Sequence, residues 1–163
     1  MTAPGGEEAA RAEAVSLVAE LRMARVSGGY PQRRLADALG VGEATVRSWE
    51  SGRRIPTLIN LIRSGRELGL RLVIVGRDGQ VRSARVPVKA GELWADREIR
   101  SLTSALRGER RRNEMSQDAV AEKVGVSLWS IAQFEQGRLH PRPAVLAAWA
   151  AALDCGVRWR ALV

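Results

Sequence analysis

The chain has 163 residues, of which 45% are hydrophobic, and its 26 Lys and Arg against 18 Asp and Glu give a formal net charge of +8. A single cysteine and a single histidine exclude an internal disulfide framework and a Cys/His metal site at any familiar spacing, and no apolar run is long enough to cross a bilayer. A balance this basic points to a polyanionic partner, nucleic acid being the commonest, the bland alternative being a generically basic surface from Arg-rich coding.

Residues 1–12 lack the basic-then-apolar pattern of a signal peptide and read as a disordered lead, which with the lone Cys155 fits a reducing, cytoplasmic setting. From Glu13 to Arg25, Val15, Leu17, Val18, Leu21 and Met23 recur at near-helical spacing, and Ser27-Gly28-Gly29 ends that amphipathic helix. Pro31 opens a second helix, Gln32 to Leu39, with Leu35, Ala36 and Leu39 inward. Gly40 stops it in the left-handed conformation that favours glycine. A third helix runs from about Glu43 to Ser51 with Val46 and Trp49 inward, so Glu43, Ala44, Thr45, Arg47 and Ser48 face outward. Thr57 starts a fourth helix carrying Leu58, Leu61, Ile62 and Leu68, closed by Gly69. LRLVIV (Leu70 to Val75), an Asp78-Gly79 turn and the run Val81 to Val86 then read as a β-hairpin over residues 70–86. Residues 87–95 form a linker whose Trp94 packs onto the second half of the chain.

That second half repeats the plan of the first. Displaced by 85 positions, Leu21 to Pro56 matches Leu106 to Pro141, with identities at Leu21/Leu106, Arg25/Arg110, Gln32/Gln117, Ala36/Ala121, Gly40/Gly125, Val41/Val126, Glu50/Glu135, Gly52/Gly137, Arg53/Arg138 and Pro56/Pro141. In the second copy Asp96 is the expected N-cap of a helix reaching Arg112, with Ile99, Leu102 and Leu106 inward. Ser116 caps Gln117 to Val124, Gly125-Val126 turns the chain, and Ser127 caps a third helix with Ile131 and Phe134 inward. Pro143 opens the fourth, which carries Val145, Leu146 and Trp149 to about Leu153, and VRWRALV (Val157 to Val163) reads as a C-terminal strand. The expected class is mainly α: two units of about four helices, at residues 13–69 and 96–156, with a small hairpin after the first and a strand at 157–163.

Gln at the start of the second helix, Ala four residues on, Gly-Val at the turn, then aromatic-Glu-x-Gly-Arg: this pattern, present twice, resembles the lambda-repressor-like (Cro/Xre-type) helix-turn-helix family over about Glu13 to Leu72 and Asp96 to Trp159. The resemblance implies a sequence-specific regulator of transcription, in all expectation a repressor, with double-stranded DNA as partner and no cofactor, metal or catalytic residue. It implies that the third helix of each copy reads base edges, through Glu43, Ala44, Thr45, Arg47 and Ser48 in copy one and Leu128, Trp129, Ser130 and Gln133 in copy two. Phosphate contacts would come from Gln32, Arg33, Arg53 and Arg54, and from Gln117, Arg138 and Arg142. Arg25 with Glu50, and Arg110 with Glu135, would be partly buried structural ion pairs.

Copy two departs from the pattern. Leu128 and Trp129 read bases poorly, and an exposed apolar pair equally fits a surface for a protein partner. The strands after each fourth helix also resemble the antitoxin repressors of toxin-antitoxin modules, where such a strand pairs between subunits. Two arrangements stay open: a single-chain pseudo-dimer whose strands share one sheet, with recognition helices roughly 34 Å apart, or a true homodimer carrying four motifs. The competing function is an antitoxin-like adaptor whose second domain holds a protein such as a toxin. An enzyme is disfavoured, since no paired carboxylates stand near a glycine loop and no phosphate-binding loop is present.

Overall fold

The computed structural model describes residues 4–163. The first unit contains α1 (Pro4–Ser27), α2 (Gln32–Leu39), α3 (Glu43–Glu50) and α4 (Leu58–Glu67), followed by β1 (Leu70–Val75) and β2 (Val81–Arg82). The second contains α5 (Trp94–Arg112), α6 (Gln117–Val124), α7 (Leu128–Glu135) and α8 (Pro143–Ala152), followed by β3 (Gly156–Ala161). The chain is therefore mainly α, two four-helix units around one small antiparallel sheet.

The turn between the second and third helices is built identically in both copies. Gly40 and Gly125 adopt φ of +69° and +83°, conformations that a Cβ would strain, and the next residue closes the turn. Val41 N–H donates to the Ala36 carbonyl and Val126 N–H to that of Ala121. Helix starts follow sequence too. The Thr57, Ser116 and Ser127 hydroxyls accept from the backbone N–H of Asn60, Ala119 and Ser130.

Inside each unit the predicted apolar faces meet. Leu35, Ala36, Leu39, Val46, Trp49, Leu58 and Leu61 are buried in copy one, as are Val120, Ala121, Val124, Ile131, Phe134, Leu146 and Trp149 in copy two. Each side chain the size of leucine so removed from water contributes roughly 1.5–3 kcal/mol. The two cores are continuous, joined through Leu72, Ile74 and Val157 of the sheet.

The sheet has the order β2-β1-β3 with both pairings antiparallel. β1 and β3 pair along six residues, from Leu70 opposite Ala161 to Val75 opposite Gly156. Trp159 reaches from β3 into the first unit, where its indole N–H donates to the Leu17 carbonyl at 3.0 Å. Its ring lies so close to Gly65 of α4 that a Cβ there would collide with it. The helices cross over as well: α1 packs along α8, and α5 packs against α4.

Five expectations are corrected. Residues 4–12 are not a disordered lead but the first turns of α1, and Ala10 and Ala14 are buried; residues 1–3 lie outside the described residues. Small alanines facing the alanine-rich α8 allow close approach without a strong apolar signal in sequence. The second hairpin strand shortens from Val81–Val86 to Val81–Arg82, because the chain then turns toward α5, where the Pro87 carbonyl accepts from Arg100 Nη2 at 2.5 Å. α5 begins at Trp94, inside the expected linker, with Leu93 at the cap position. Asp96 is thus no cap; it sits in the first turn, 3.4 Å from His140 Nε2. Trp94 itself is shared between copies, half-buried beneath the Arg66 guanidinium of α4 at 4.6 Å.

Candidate nucleic-acid interface

A helix can read a groove only if its outward side chains are free and its axis is held rigidly, so the internal supports come first. Arg25 of α1 forks onto Glu50 at the end of α3: Nε and Nη2 donate to Oε1 and Oε2 at 2.5 and 3.0 Å, while Nη1 donates to the Tyr30 carbonyl at 2.8 Å. Arg110 does the same in copy two, reaching Glu135 at 2.8 and 2.9 Å and the Met115 carbonyl at 2.8 Å. These carboxylates are only 8% and 2% exposed, so each bidentate pair is largely desolvated. The network locks the first helix, the connection after it and the end of the third helix together.

Gln32 and Gln117, both half-buried, also join that network. Their Nε2 atoms donate to Glu50 at 2.6 Å and to Glu135 at 3.3 Å. A buried carboxylate has more acceptor sites than one guanidinium fills, and the glutamine amide supplies a further donor. These bonds engage the amide nitrogen of each half-buried side chain. Sequence reasoning also missed Arg63 of α4, which donates to the Leu39 and Ala38 carbonyls at 3.2 Å and ties down the end of α2. A basic residue facing helix-terminal carbonyls was the available signal.

On the outer face of α3, Glu43, Ala44 and Arg47 are exposed and Thr45 and Ser48 half-buried. Glu43 and Arg47 face each other at 3.5 Å in an exposed pair that solvent weakens and a competing anion can open. On α7, Leu128 and Trp129 are 47% and 63% exposed, beside half-buried Ser130 and Gln133. The Ser130 hydroxyl lies 2.9 Å from that of Ser127, so helix capping already occupies part of its bonding capacity.

Beyond each of these helices the backbone is pinned while the arginine side chains stay out. The N–H groups of Arg53 and Arg54 donate to the Ser48 carbonyl at 3.1 and 3.2 Å, and that of Arg138 to the Gln133 carbonyl at 3.0 Å. Arg33, Arg53, Arg54, Arg138 and Arg142 are all exposed, and none pairs with a carboxylate among the described residues. Beside Arg33, Arg34 stacks on Tyr30 at 4.6 Å. The Tyr30 hydroxyl donates to Glu67 at 3.1 Å, and burial followed by that carboxylate raises its pKa. Among the described residues no group of three or more His, Cys, Asp or Glu is placed to hold a metal ion, and no helix is long and apolar enough to cross a membrane.

A family model described as helix-turn-helix matches the chain twice, over residues 21–74 and 106–160. Comparison with curated proteins and with solved structures found no match.

Proposed function

We propose, since this chain belongs to the lambda-repressor-like helix-turn-helix family of DNA-binding regulators, that it is a transcriptional repressor whose α3 and α7 enter successive major grooves of one duplex. The observation that carries this reading is the antiparallel pairing of β1 with β3, the strands that follow the equivalent fourth helices. It gives one polypeptide the internal relationship that two subunits have in a two-fold dimer, whose recognition helices sit about 34 Å apart.

The two half-sites differ in this reading. The outward positions hold Glu43, Ala44, Thr45, Arg47 and Ser48 on α3, and Leu128, Trp129, Ser130, Ala132 and Gln133 on α7. Glu43 is suited to accept from cytosine N4, Gln133 to bond adenine, and Leu128 to contact a thymine methyl. Arg33, Arg53, Arg54, Arg138 and Arg142 grip phosphate and set register. Occupancy over a promoter excludes polymerase.

Selection of bound sequences from random duplexes tests this. The expected product is one bipartite motif with unlike halves, about 10 base pairs from centre to centre. No preference over bulk competitor at moderate ionic strength sinks it. Light scattering adds a check, because a dimer mass for the free protein counts against the single-chain arrangement and for a homodimer.

Exposure of Leu128 and Trp129 favours a second reading, in which α7 docks a protein partner such as a toxin. Trp129→Ala separates the two. It alters the selected motif under the first reading, whereas under the second it leaves the motif intact and abolishes recovery of a stoichiometric partner.

A further inference from the structure

We propose that the cleft between α4 and α5 is a regulatory site for a small organic anion bearing a flat ring. Its volume is about 890 Å³, within the range of small-molecule sites. Arg66 of α4, Arg71 of β1, Arg85 of the segment after β2, and Trp94, Arg97 and Glu98 of α5 line it.

Charge in the cleft is unbalanced. Glu98 is taken up by Arg71 at 2.9 Å, and Arg66, Arg85 and Arg97 pair with no carboxylate among the described residues. The Nε of Arg71, itself buried, has no acceptor. The Arg66 Cζ lies 4.6 Å over the centre of the Trp94 ring, a cation–π contact that holds the guanidinium in place. Two uncompensated guanidiniums, of Arg85 and Arg97, beside the Arg66–Trp94 pair suit a carboxylate or phosphate joined to a ring.

The repeat itself argues that the fold does not require these groups. The positions equivalent to Arg66, Trp94 and Arg97, 85 residues away in sequence, are Ala151, Ala9 and Ala12. Those three alanines are exposed, and α1 and α8 pack through their neighbours Ala10, Ala14, Ala147 and Ala150, so the same architecture is satisfied without arginine or tryptophan there. The same three surface positions thus carry small uncharged residues at one junction and two arginines and a tryptophan at the other. Because α4 and α5 join the two copies, a ligand between them changes how α3 and α7 are set relative to each other. That regulatory clause rests on the DNA-binding reading; occupancy of the cleft does not.

Binding is therefore measured without DNA, on the full chain, by following the Trp94 indole N–H resonance, assigned with Trp94→Phe, during titration with AMP and with salicylate. The expected result is a saturable shift with at least one probe, weakened at least about tenfold in Arg97→Ala and in Arg66→Ala while helix content is unchanged. No shift with either probe up to about 10 mM, or a shift that both variants retain, overturns the proposal. Loss of duplex affinity in Arg97→Ala with no response to either probe also overturns it and reassigns the cleft to DNA phosphate.

Discussion

Val73 and Arg158 stand directly opposite each other across the ladder of β1 and β3, and they occupy the same position of the two sequence copies, 85 residues apart. An antiparallel pair centred on equivalent residues is related by a local two-fold axis through that pair. The helices obey the same axis: α1 of the first copy lies on α8 of the second, and α5 of the second on α4 of the first. The chain is thus arranged as a dimer of its own halves, with one continuous core.

The ion pairs under α3 and α7 respond asymmetrically to mutation. Glu135→Ala leaves Arg110 buried without its partner and is expected to cost about 3–5 kcal/mol, read as a lower urea midpoint at unchanged slope. Arg110→Met combined with Glu135→Leu removes both charges and restores most of that loss. A double variant as unstable as the single one contradicts the argument.

Gly65 is a packing glycine. Gly65→Ala drives a methyl into the Trp159 ring, which is also held by its bond to the Leu17 carbonyl. Overpacking of this kind costs about 1–3 kcal/mol, and thermal unfolding should show it. The pair Gly65→Ala with Trp159→Leu recovers part of the loss, because the obstructing ring is gone.

Acid sensitivity has a definable source in the segment before α5. Arg100 donates to Glu92 at 2.7 Å through both Nε and Nη2, and this bonding chiefly holds the Glu92 pKa down to about 2. A carboxylate whose pKa is depressed by folding stabilises the fold above its unfolded value near about 4.3, and that contribution disappears as pH falls toward 2. Glu92→Gln should therefore be less stable than wild type at neutral pH, and the difference should shrink across that interval in denaturation at a series of pH values.

On DNA, side chains of the two classes should behave differently. Arg53→Ala is expected to weaken binding to all sequences alike and to lower the log–log salt slope by about 1, as loss of one phosphate contact requires. Thr45→Ala or Ser48→Ala should instead change which bases are selected. Unchanged selectivity in Ser48→Ala would mean that α3 does not face the bases.

Much of this was legible in sequence because local rules determined it. Gly40 and Gly125 marked the turns, Ser116, Ser127 and Thr57 the helix starts, and the apolar spacing of Leu35, Ala36, Leu39, Val46 and Trp49 the buried faces. Features made by residues distant in sequence were not. The beginning of α1 is helical through contact with α8, far along the chain, and alanines give no amphipathic stripe to announce it. Gln32 and Gln117 look like surface residues until the buried Glu50 and Glu135 are seen to need another donor. The arginines of the cleft come from α4, β1, the segment after β2 and α5, and only folding gathers them.

In a homodimer every substitution appears twice, so neither half can change its chemistry without the other changing too. Here the ladder that unites β1 and β3 lies within a single polypeptide, and a codon altered in one half leaves its counterpart as it was. The outward faces of α3 and α7, which have no residue in common across their five equivalent positions, are what such independent inheritance permits while the scaffold beneath them keeps its shared glycines, glutamines and ion pairs.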